Sequence, residues 1–510
     1  MAHVTEGIEG ILQRPHGCGE QTISSTYPNV MALRLLKSGG IEKHAIEKTA
    51  RKYTQDGYDR LLGYRDTSGG FSYWGKGEPD LALTAYALRF LNDVDEVIDV
   101  NGDVIVEAEK WLFKQQRNDG HWAVNDYYKS SEDTRRSAMY TALIARALTS
   151  GGAVSKEYSL NLERAFAYLE KELKSFMEPY SLANYVIATQ QAGEAKRAIW
   201  AIEELKKIPQ PEAGGNYWAL ETNTPFYGWG LAGRIETTAL VIKALSKDDR
   251  EQRGMGDEGI SKGVFWLLWN KDRYGVWLST QATINVLDAF ISLTGSDKNS
   301  AESNAEIFVN GARATSVTLP PGNQLVNPIV IDVSKFLTLG KNKVEIKRPS
   351  NGALASMQAV QTYYLPWSAS MATQAENLKS GAKRALRLAV TYDKTEAKIG
   401  EEITCKVEAE RIGFSGYGMM LAEIGLPPGV DVDRASLESA VKEEGWGINH
   451  YDVLPDRVIL YLWPRAGGCK FSFKFRSRYG TNALNAASIL YDYYNPEARA
   501  VIAPTRFVVK

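Results

Sequence analysis

Through the first 295 positions, apolar residues recur at three- and four-residue spacing, as in Leu81-Leu83-Ala85-Leu88-Phe90-Leu91 and Ala138-Met139-Ala142-Leu143-Ala145-Leu148. That period predicts amphipathic helices. Stacked, the segments expose an internal repeat in which a Gly-aromatic turn precedes a helix that opens on Thr. The turns are Gly69-Gly70-Phe71, Asp119-Gly120-His121-Trp122, Tyr227-Gly228-Trp229 and Tyr274-Gly275-Val276-Trp277. The matching helices carry Thr84-Ala85-Tyr86, Thr141-Ala142-Leu143 and Thr237-Thr238-Ala239. A period of about 50 residues suits one helix pair per repeat. The longer gap between the second and third turns leaves room for a degenerate copy around Tyr180-Ser181-Leu182-Ala183-Asn184. About six such pairs closing on themselves predict an (α/α)6 toroid, its inner helices packed by Ala and its rim built from the Gly turns.

The pattern changes near Gly295-Ser296-Asp297-Lys298. Short apolar or alternating runs follow: Ala305-Glu306-Ile307-Phe308-Val309, Pro328-Ile329-Val330-Ile331 and Lys343-Val344-Glu345-Ile346. Asn310-Gly311 between strand-like runs is a strong hairpin signal. This small β-region is expected to end near Trp367, with a helical or coil linker from Ala369 to Ser380. Further strands are expected over Leu386–Tyr392, Ile403–Val407, Val458–Leu462 and Phe471–Phe475, interrupted by a helix over Asp433–Glu444. Strands at that spacing predict a β-sandwich.

Composition narrows the function classes. The chain has 510 residues, 44% of them hydrophobic, enough for several cores. Its 60 basic and 61 acidic side chains leave a net charge of −1, so a general nucleic-acid binder is excluded. No run approaches the roughly 18 apolar residues that would span a bilayer. Met1-Ala2-His3-Val4 is not followed by a signal-peptide core. The chain is therefore expected to be either cytosolic or a piece of a longer secreted protein. Three cysteines without a CxxC pair argue against zinc ribbons and thioredoxin chemistry, and five scattered histidines leave little room for a His-rich metal site. No metal and no cofactor are expected.

The strongest chemical signal is His16-Gly17-Cys18-Gly19-Glu20-Gln21. A thiolate is a good nucleophile at moderate pH. Gln21 places a carboxamide three residues on, and Gly17 and Gly19 remove side chains that would block a tight turn. If Cys18 attacks that carboxamide and ammonia leaves, an internal thioester closes. A buried cysteine beside a Gly-rich helix start is the plainer alternative.

Gly-Cys-Gly-Glu-Gln at 17–21, followed by Tyr27-Pro28-Asn29-Val30 and an amphipathic helix, resembles the thioester domain of the alpha-2-macroglobulin and complement family. Tyr491-Asp492-Tyr493-Tyr494-Asn495-Pro496-Glu497 resembles that family's receptor-binding macroglobulin domain, as do Leu426-Pro427-Pro428-Gly429-Val430 and Asp456-Arg457-Val458-Ile459-Leu460-Tyr461. The resemblance covers nearly the whole chain. It implies a multidomain α and β protein: an (α/α)6 toroid thioester domain at 1–296, the second half of a CUB-like β domain at 297–367, a linker at 368–380, and a receptor-binding macroglobulin β-sandwich at 381–510. It also implies that the chain is a C-terminal part of a larger protein that is extracellular, periplasmic or at the cell surface.

The mechanism that the resemblance implies is single-use covalent capture rather than turnover. A stored thioester must be kept dry. The resemblance puts Trp74, Met419, Tyr461 and Tyr493 around the bond, although each also fits ordinary core packing. Release would let a target's nucleophile take the Gln21 acyl group while Cys18 leaves. The implied partners are target proteases or surface nucleophiles, and a receptor through the last domain. Broad protease inhibition is the first role implied, complement-like surface tagging the second. Some relatives use a histidine about a hundred residues after the cysteine. Alignment on Asp119-Gly120 puts that position near Ser130, and His121 reads as part of its repeat turn. Lys amines are therefore expected to be preferred over hydroxyls. Cys405 and Cys469 resemble a disulfide pair of some complement members, with two buried free thiols the alternative.

An enzyme on the same kind of toroid is the chief rival. Gln116-Arg117-Asn118-Asp119-Gly120-His121-Trp122 fits the QxxxGxW repeat of terpene cyclases. Those enzymes need an acidic cluster facing the cavity, and Asp93-Val94-Asp95-Glu96 is the nearest candidate, expected as a solvated loop at a helix end. A prenyltransferase zinc site would need the helical region's single cysteine.

Overall fold

The computed structural model describes residues 12, 14–39, 44–125, 131–152, 154–220, 222–247, 257–271, 276–293, 302–319, 329–348, 359–360, 367, 385–412, 418–493, 495 and 498–510. Two compact units divide the chain. One holds Met1–Phe226 and Gly233–Val360, the other Tyr227–Ala232 and Gln361–Lys510.

The first unit carries eleven described helices: α1 (Gly19–Gly39), α2 (His44–Leu62), α3 (Leu81–Asp95), α4 (Gly102–Gln115), α5 (Thr134–Leu148), α6 (Ser159–Phe176), α7 (Pro179–Gln191), α8 (Ile199–Lys207), α9 (Gly230–Ser246, in this unit from Gly233), α10 (Glu258–Trp269) and α11 (Thr280–Leu293). The odd-numbered helices follow one another in a cycle. α1 packs on α3, α3 on α5 and α5 on α7. Gln190 of α7 donates to the Ala244 carbonyl of α9 (3.0 Å), Lys243 of α9 meets Asp288 of α11 (2.5 Å), and α11 packs back on α1. Small residues permit the close approach: Ala82, Ala85 and Ala87 on α3 and Ala138, Ala142 and Ala145 on α5 are buried.

The repeat has a simple physical basis. The aromatic after each turn would bury its backbone N–H, and the Thr of the next odd-numbered helix supplies the acceptor. Phe71 donates to Thr84 Oγ1 (2.9 Å), Trp122 to Thr141 (3.1 Å), Trp218 to Thr238 (3.0 Å) and Trp277 to Thr283 (2.9 Å). The indoles of Trp122, Trp218 and Trp277 donate to the Leu112, Leu205 and Leu267 carbonyls of the preceding even-numbered helices. One assignment needs correction. The third copy is Gly215-Asn216-Tyr217-Trp218, whose first three residues form a strand paired with 210–212, and not Tyr227-Gly228-Trp229. The degenerate copy at 180–184 falls in α7, which is capped by Glu178 through the Tyr180 and Ser181 N–H groups instead of a Thr device.

Charged residues tie the cycle together. Asp288 of α11 accepts from Arg89 of α3 (2.8 Å), Arg146 of α5 (3.3 Å) and Lys243 of α9. Arg146 also donates to Asn184 of α7 (3.0 Å), and Arg34 of α1 pairs with Asp93 of α3 (2.9 Å), which accepts the Tyr27 hydroxyl. All six odd-numbered helices therefore contribute. Asp93 is accordingly no solvated loop residue, as the sequence suggested, but a paired group inside α3. Burial works against the Asp288 charge, yet Lys243, Arg89 and Arg146 hold its carboxyl well below the usual range. Burial pulls Lys243 down to about 8.

The same unit includes a three-stranded antiparallel sheet, with β1 (Gln210–Glu212) and β2 (Gly215–Tyr217) preceding β3 (Ser303–Val309), β4 (Ala312–Leu319) and β5 (Val344–Lys347) in the order β4-β3-β5. Asn310 and Gly311 have φ of 52° and 83°, the two positive values of a type I′ hairpin turn. The strand expected at Pro328–Ile331 is absent from its described part: 329–331 are irregular, and Val330 is 89% exposed. The expected linker at 369–380 lies outside the described residues.

The second unit stacks two sheets. β6 (Leu386–Tyr392), β8 (Glu402–Arg411), β10 (Val430–Val432) and β13 (Cys469–Ser477) form one, ordered β10-β13-β8-β6. β9 (Met420–Gly425), β11 (Ile448–Val453), β12 (Arg457–Leu462), β15 (Ser488–Asp492) and β16 (Arg499–Ile502) form the other, ordered β11-β12-β9-β15-β16. β7 (Glu396–Ala397), β14 (Thr481–Leu484) and β17 (Arg506–Val509) make a small third sheet. Phe471, Phe473 and Phe475 on β13 alternate with exposed or half-buried residues. Across the core they share one cluster with Ala422, Ile424, Val458 and Leu460. The expected helix is α12 (Arg434–Glu444), with Asp433 capping the Ala435 N–H.

Candidate functional site

Cys18 and Gln21 sit at the start of α1. The Cys18 carbonyl accepts the first helical bond, from Thr22 (2.8 Å), and the Gly19 N–H is held by the Tyr73 carbonyl (2.8 Å). The Gln21 carboxamide folds back on this turn, and its Oε1 accepts the Cys18 backbone N–H at 3.1 Å. That bond polarises the carbonyl and places the carboxamide beside the cysteine. Gly17 makes the fold-back possible. Its φ is +74°, and a Cβ there would lie 2.0 Å from Gln21 Oε1. The Gly17 carbonyl is pinned by Arg60 of α2 (2.7 Å) and by Tyr64 in the turn that follows it (2.6 Å). Cys18 is 8% exposed, and burial pushes its thiol up from 9.0, with the Glu20 charge adding to the rise.

Glu20 is buried in a network that spans distant parts of the chain. Its Oε1 accepts from Ser24 Oγ (2.7 Å) and from Gln281 Nε2 of α11 (3.1 Å). Gln281 also reaches Ser24 Oγ (3.2 Å), which lies 3.3 Å from the Tyr86 hydroxyl of α3. Burial raises the Glu20 carboxyl, opposed by the Ser24 and Gln281 bonds. Glu236 of α9, also buried, is pushed up to about 8 by burial, with the nearby Glu20 charge adding to it and a bond with Thr224 opposing it.

A pH prediction follows for Glu236. Between its ordinary value of 4.5 and about 8, the folded carboxyl keeps a proton that the unfolded chain has lost. Stability is therefore fullest below 4.5 and falls as pH rises toward 8, by at most about 1.4 kcal/mol per unit. Glu236→Gln should flatten that fall, raising the thermal midpoint at pH 7.5 but not at pH 4.5. Parallel melting curves for the two proteins across this range would contradict the assignment.

The other expected site residues have definite places. Trp74 lies in the loop before α3 and is 60% exposed. Met419 and Tyr493 adjoin, since the Tyr493 N–H donates to the Met419 carbonyl (2.9 Å). Tyr461 pairs with Leu421 across β12 and β9 and donates to Asp452 (3.2 Å). These three thus share one region of the five-stranded sheet. His121 stacks on Tyr168 of α6 (4.8 Å) and faces Asp119 of its own turn (2.6 Å) and Glu132, just before α5 (3.0 Å). Ser130 lies outside the described residues.

The disulfide expectation is corrected. Cys405 of β8 pairs with Phe473, while Cys469 of β13 pairs with Ala409. Four ladder positions separate the cysteines, about 13 Å along the strands and beyond a bridge's reach. Both are buried free thiols, and burial raises Cys405 to about 12 and Cys469 to about 11. Among the described residues, no group of three or more His, Cys, Asp or Glu side chains is arranged to hold a metal.

The family model of the A-macroglobulin TED domain matches residues 1–292, more than half of the chain, and that of the A-macroglobulin receptor binding domain matches 416–504. Complement C3 of Oncorhynchus mykiss is 28% identical over 523 aligned residues, covering 96% of this chain and 30% of that protein. Thioester-containing protein 1 allele S1 of Anopheles gambiae is 22% identical, covering 98% of this chain and 35% of its own length. The chain thus spans about a third of these relatives. The fold is shared with native alpha-2-macroglobulin of Escherichia coli from domain MG7 to the C-terminus, at TM-score 0.62 and 16% identity over 99% of this chain and 75% of that one. It is also shared with Salmonella alpha-2-macroglobulin reacted with methylamine, at TM-score 0.60 and 16% identity over all of this chain and 31% of that one.

Proposed function

Because the chain belongs to the A-macroglobulin family of thioester-domain proteins, we propose that Cys18 and Gln21 join as an internal thioester through which the protein captures its targets covalently. The observation that supports this most directly is the Gln21 carboxamide held against Cys18 in the first turn of α1. In closure, the Cys18 sulfur bonds to the Gln21 acyl carbon, and ammonia leaves with the thiol's proton. In capture, a target nucleophile bonds to that carbon, and the carbon–sulfur bond breaks. Its electron pair stays on sulfur, which takes up the proton released by the nucleophile. The Cys18 N–H donates to the Gln21 oxygen on which charge develops, as an oxyanion-hole donor does. Each molecule reacts once, so the activity is not turnover.

We assign 1–296 to the thioester domain, 297–367 to half of a CUB-like domain, 368–380 to a linker and 381–510 to a receptor-binding macroglobulin domain. Trp74, Met419, Tyr461 and Tyr493 are proposed to shield the bond from water. The role favoured for the whole protein is broad protease inhibition outside the cytoplasm, in the extracellular space, in the periplasm or at the cell surface. The targets are held through Lys amines, and a receptor engages the last domain. The likeness to complement C3 supports surface tagging as the second reading. Neither role calls for nucleic acid or a cofactor, and no described helix is long and apolar enough to cross a membrane.

Intact mass before and after methylamine tests the core of this reading. The chain should gain one methylamine, and Cys18→Ser should gain none. An unchanged mass in freshly made protein would sink the proposal. Offered glycerol and methylamine at equal concentration, the protein should take up the amine, and preferential glycerol labelling would overturn the Lys preference.

A further inference from the structure

We propose that Gln281 is a positioning residue for the thioester: by tying the Glu20 carboxylate next to Cys18, it slows departure of the Cys18 sulfur and keeps the bond dormant. This rests on the Cys18–Gln21 thioester proposed above. Gln281 lies some 260 residues downstream of the motif, in the helix that returns to α1. It is 4% exposed, and its carboxamide nitrogen is shared between Glu20 Oε1 (3.1 Å) and Ser24 Oγ (3.2 Å).

The hydrogen inventory of this cluster has a direction. Ser24 has one hydroxyl hydrogen and gives it to Glu20. The Tyr86 hydroxyl must then donate to Ser24, and the two Gln281 N–H groups go to Glu20 and Ser24. With Glu20 ionised, every hydrogen of the cluster can run toward the carboxylate, and the Ser24 and Gln281 bonds oppose the rise that burial imposes on it. Hydrogen bonds of this kind are what keep a buried carboxylate charged. Other ionisable groups around Glu20 are Cys18 beside it in sequence, Tyr86 of α3 and Glu236 of α9. Arg60 and Tyr64, from the elements flanking the motif, are engaged at the Gly17 carbonyl.

The consequence falls on the sulfur. When an amine's nitrogen bonds to the Gln21 acyl carbon, the carbon–sulfur electron pair moves onto Cys18 Sγ before a proton reaches it. A carboxylate two residues away repels that charge and slows the step. Losing the Gln281 donor makes the charged form of Glu20 costlier to bury, so Glu20 takes up a proton and the repulsion fades.

The experiment has two arms in this chain. In the first, methylamine-driven release of the Cys18 thiol is timed at pH 7.5. Gln281→Met should speed it about tenfold. Glu20→Gln, which keeps the side chain's shape, should speed it similarly, and Gln281→Met should add nothing on that background. In the second, the bond is first opened with methylamine, and alkylation of Cys18 by iodoacetamide is followed by peptide mass mapping. Iodoacetamide reads thiolate character, so both variants should label faster than wild type. Unchanged rates in either arm, or an equal gain from Gln281→Met with and without Glu20, overturn the proposal, because a packing role would act independently of that charge. If the wild-type chain takes up no methylamine, the thioester reading itself fails. The labelling arm still reports whether Gln281 governs the sulfur.

Discussion

Gly17→Ala is expected to cut methylamine incorporation at Gln21 about a hundredfold while the helical unit stays folded. An alanine can adopt the positive φ of 74° at a cost of about 1–2 kcal/mol, which a large helical unit withstands. The new methyl, however, would lie 2.0 Å from Gln21 Oε1 and 2.7 Å from its Cδ. The Gln21 side chain is the softest neighbour, so it yields, and in yielding it leaves Cys18. Gly19→Ala is the informative contrast. Its methyl would meet the Ser72 carbonyl at 3.1 Å and Leu83 at 3.3 Å, and the Gln21 carboxamide is not among its three nearest contacts. That variant should lose some thermal stability yet keep methylamine uptake within a few-fold. Intact mass and melting of both proteins check the pair. Full uptake by Gly17→Ala would mean that the fold-back of Gln21 is not what brings the reacting atoms together.

How much of this was legible in the sequence depends on the range of each interaction. The Cys18–Gln21 pair was legible because its glycines and its two reacting side chains lie within five residues. The Asn310-Gly311 hairpin was legible for the same reason. The helical repeat was visible because each copy must satisfy one buried aromatic N–H with one Thr. Its third copy was misplaced because Tyr227-Gly228-Trp229 imitates the turn. Trp218 is the residue that donates to Thr238 and to the Leu205 carbonyl. Ile329–Ile331 read as a strand on apolar content alone, which exposure there overrides. Cys405 and Cys469 both fall in strands, as expected, but only the register reveals that they are four positions apart. Gln281 and Glu236 carried no local signal, because nothing around them in sequence says that the cycle returns Gln281 to α1 and sets Glu236 within reach of the Glu20 charge. Arg89, Arg146, Lys243 and Asp288 carried no local signal either, since only the packing of four helices brings the buried Arg146 and the half-buried other three together.

Asp288→Asn should be among the most destabilising single changes in the helical unit, costing about 3–5 kcal/mol. Asp288 is the shared acceptor of Arg89, Arg146 and Lys243, which come from three different helices. Asparagine keeps the volume and removes the charge, so Arg146 and Lys243 lose their carboxylate in a largely buried site and Arg89 keeps only Asp93, 4.0 Å away. An arginine does not readily shed its proton, so Arg89 and Arg146 must draw in water or push their helices apart. Lys243→Met should cost far less. Burial already pulls Lys243 down to about 8, so its charge is the easiest of the three to give up, and Asp288 keeps two arginines when it goes. The expected order in thermal melts is therefore wild type, then Lys243→Met slightly below, then Asp288→Asn lower by roughly 10 °C. In acidic melts, where Lys243 keeps its charge without Asp288, adding Lys243→Met to Asp288→Asn should recover part of the loss, since it removes one of the unmatched cations. A double variant no more stable than Asp288→Asn would mean that the cluster contributes through packing alone.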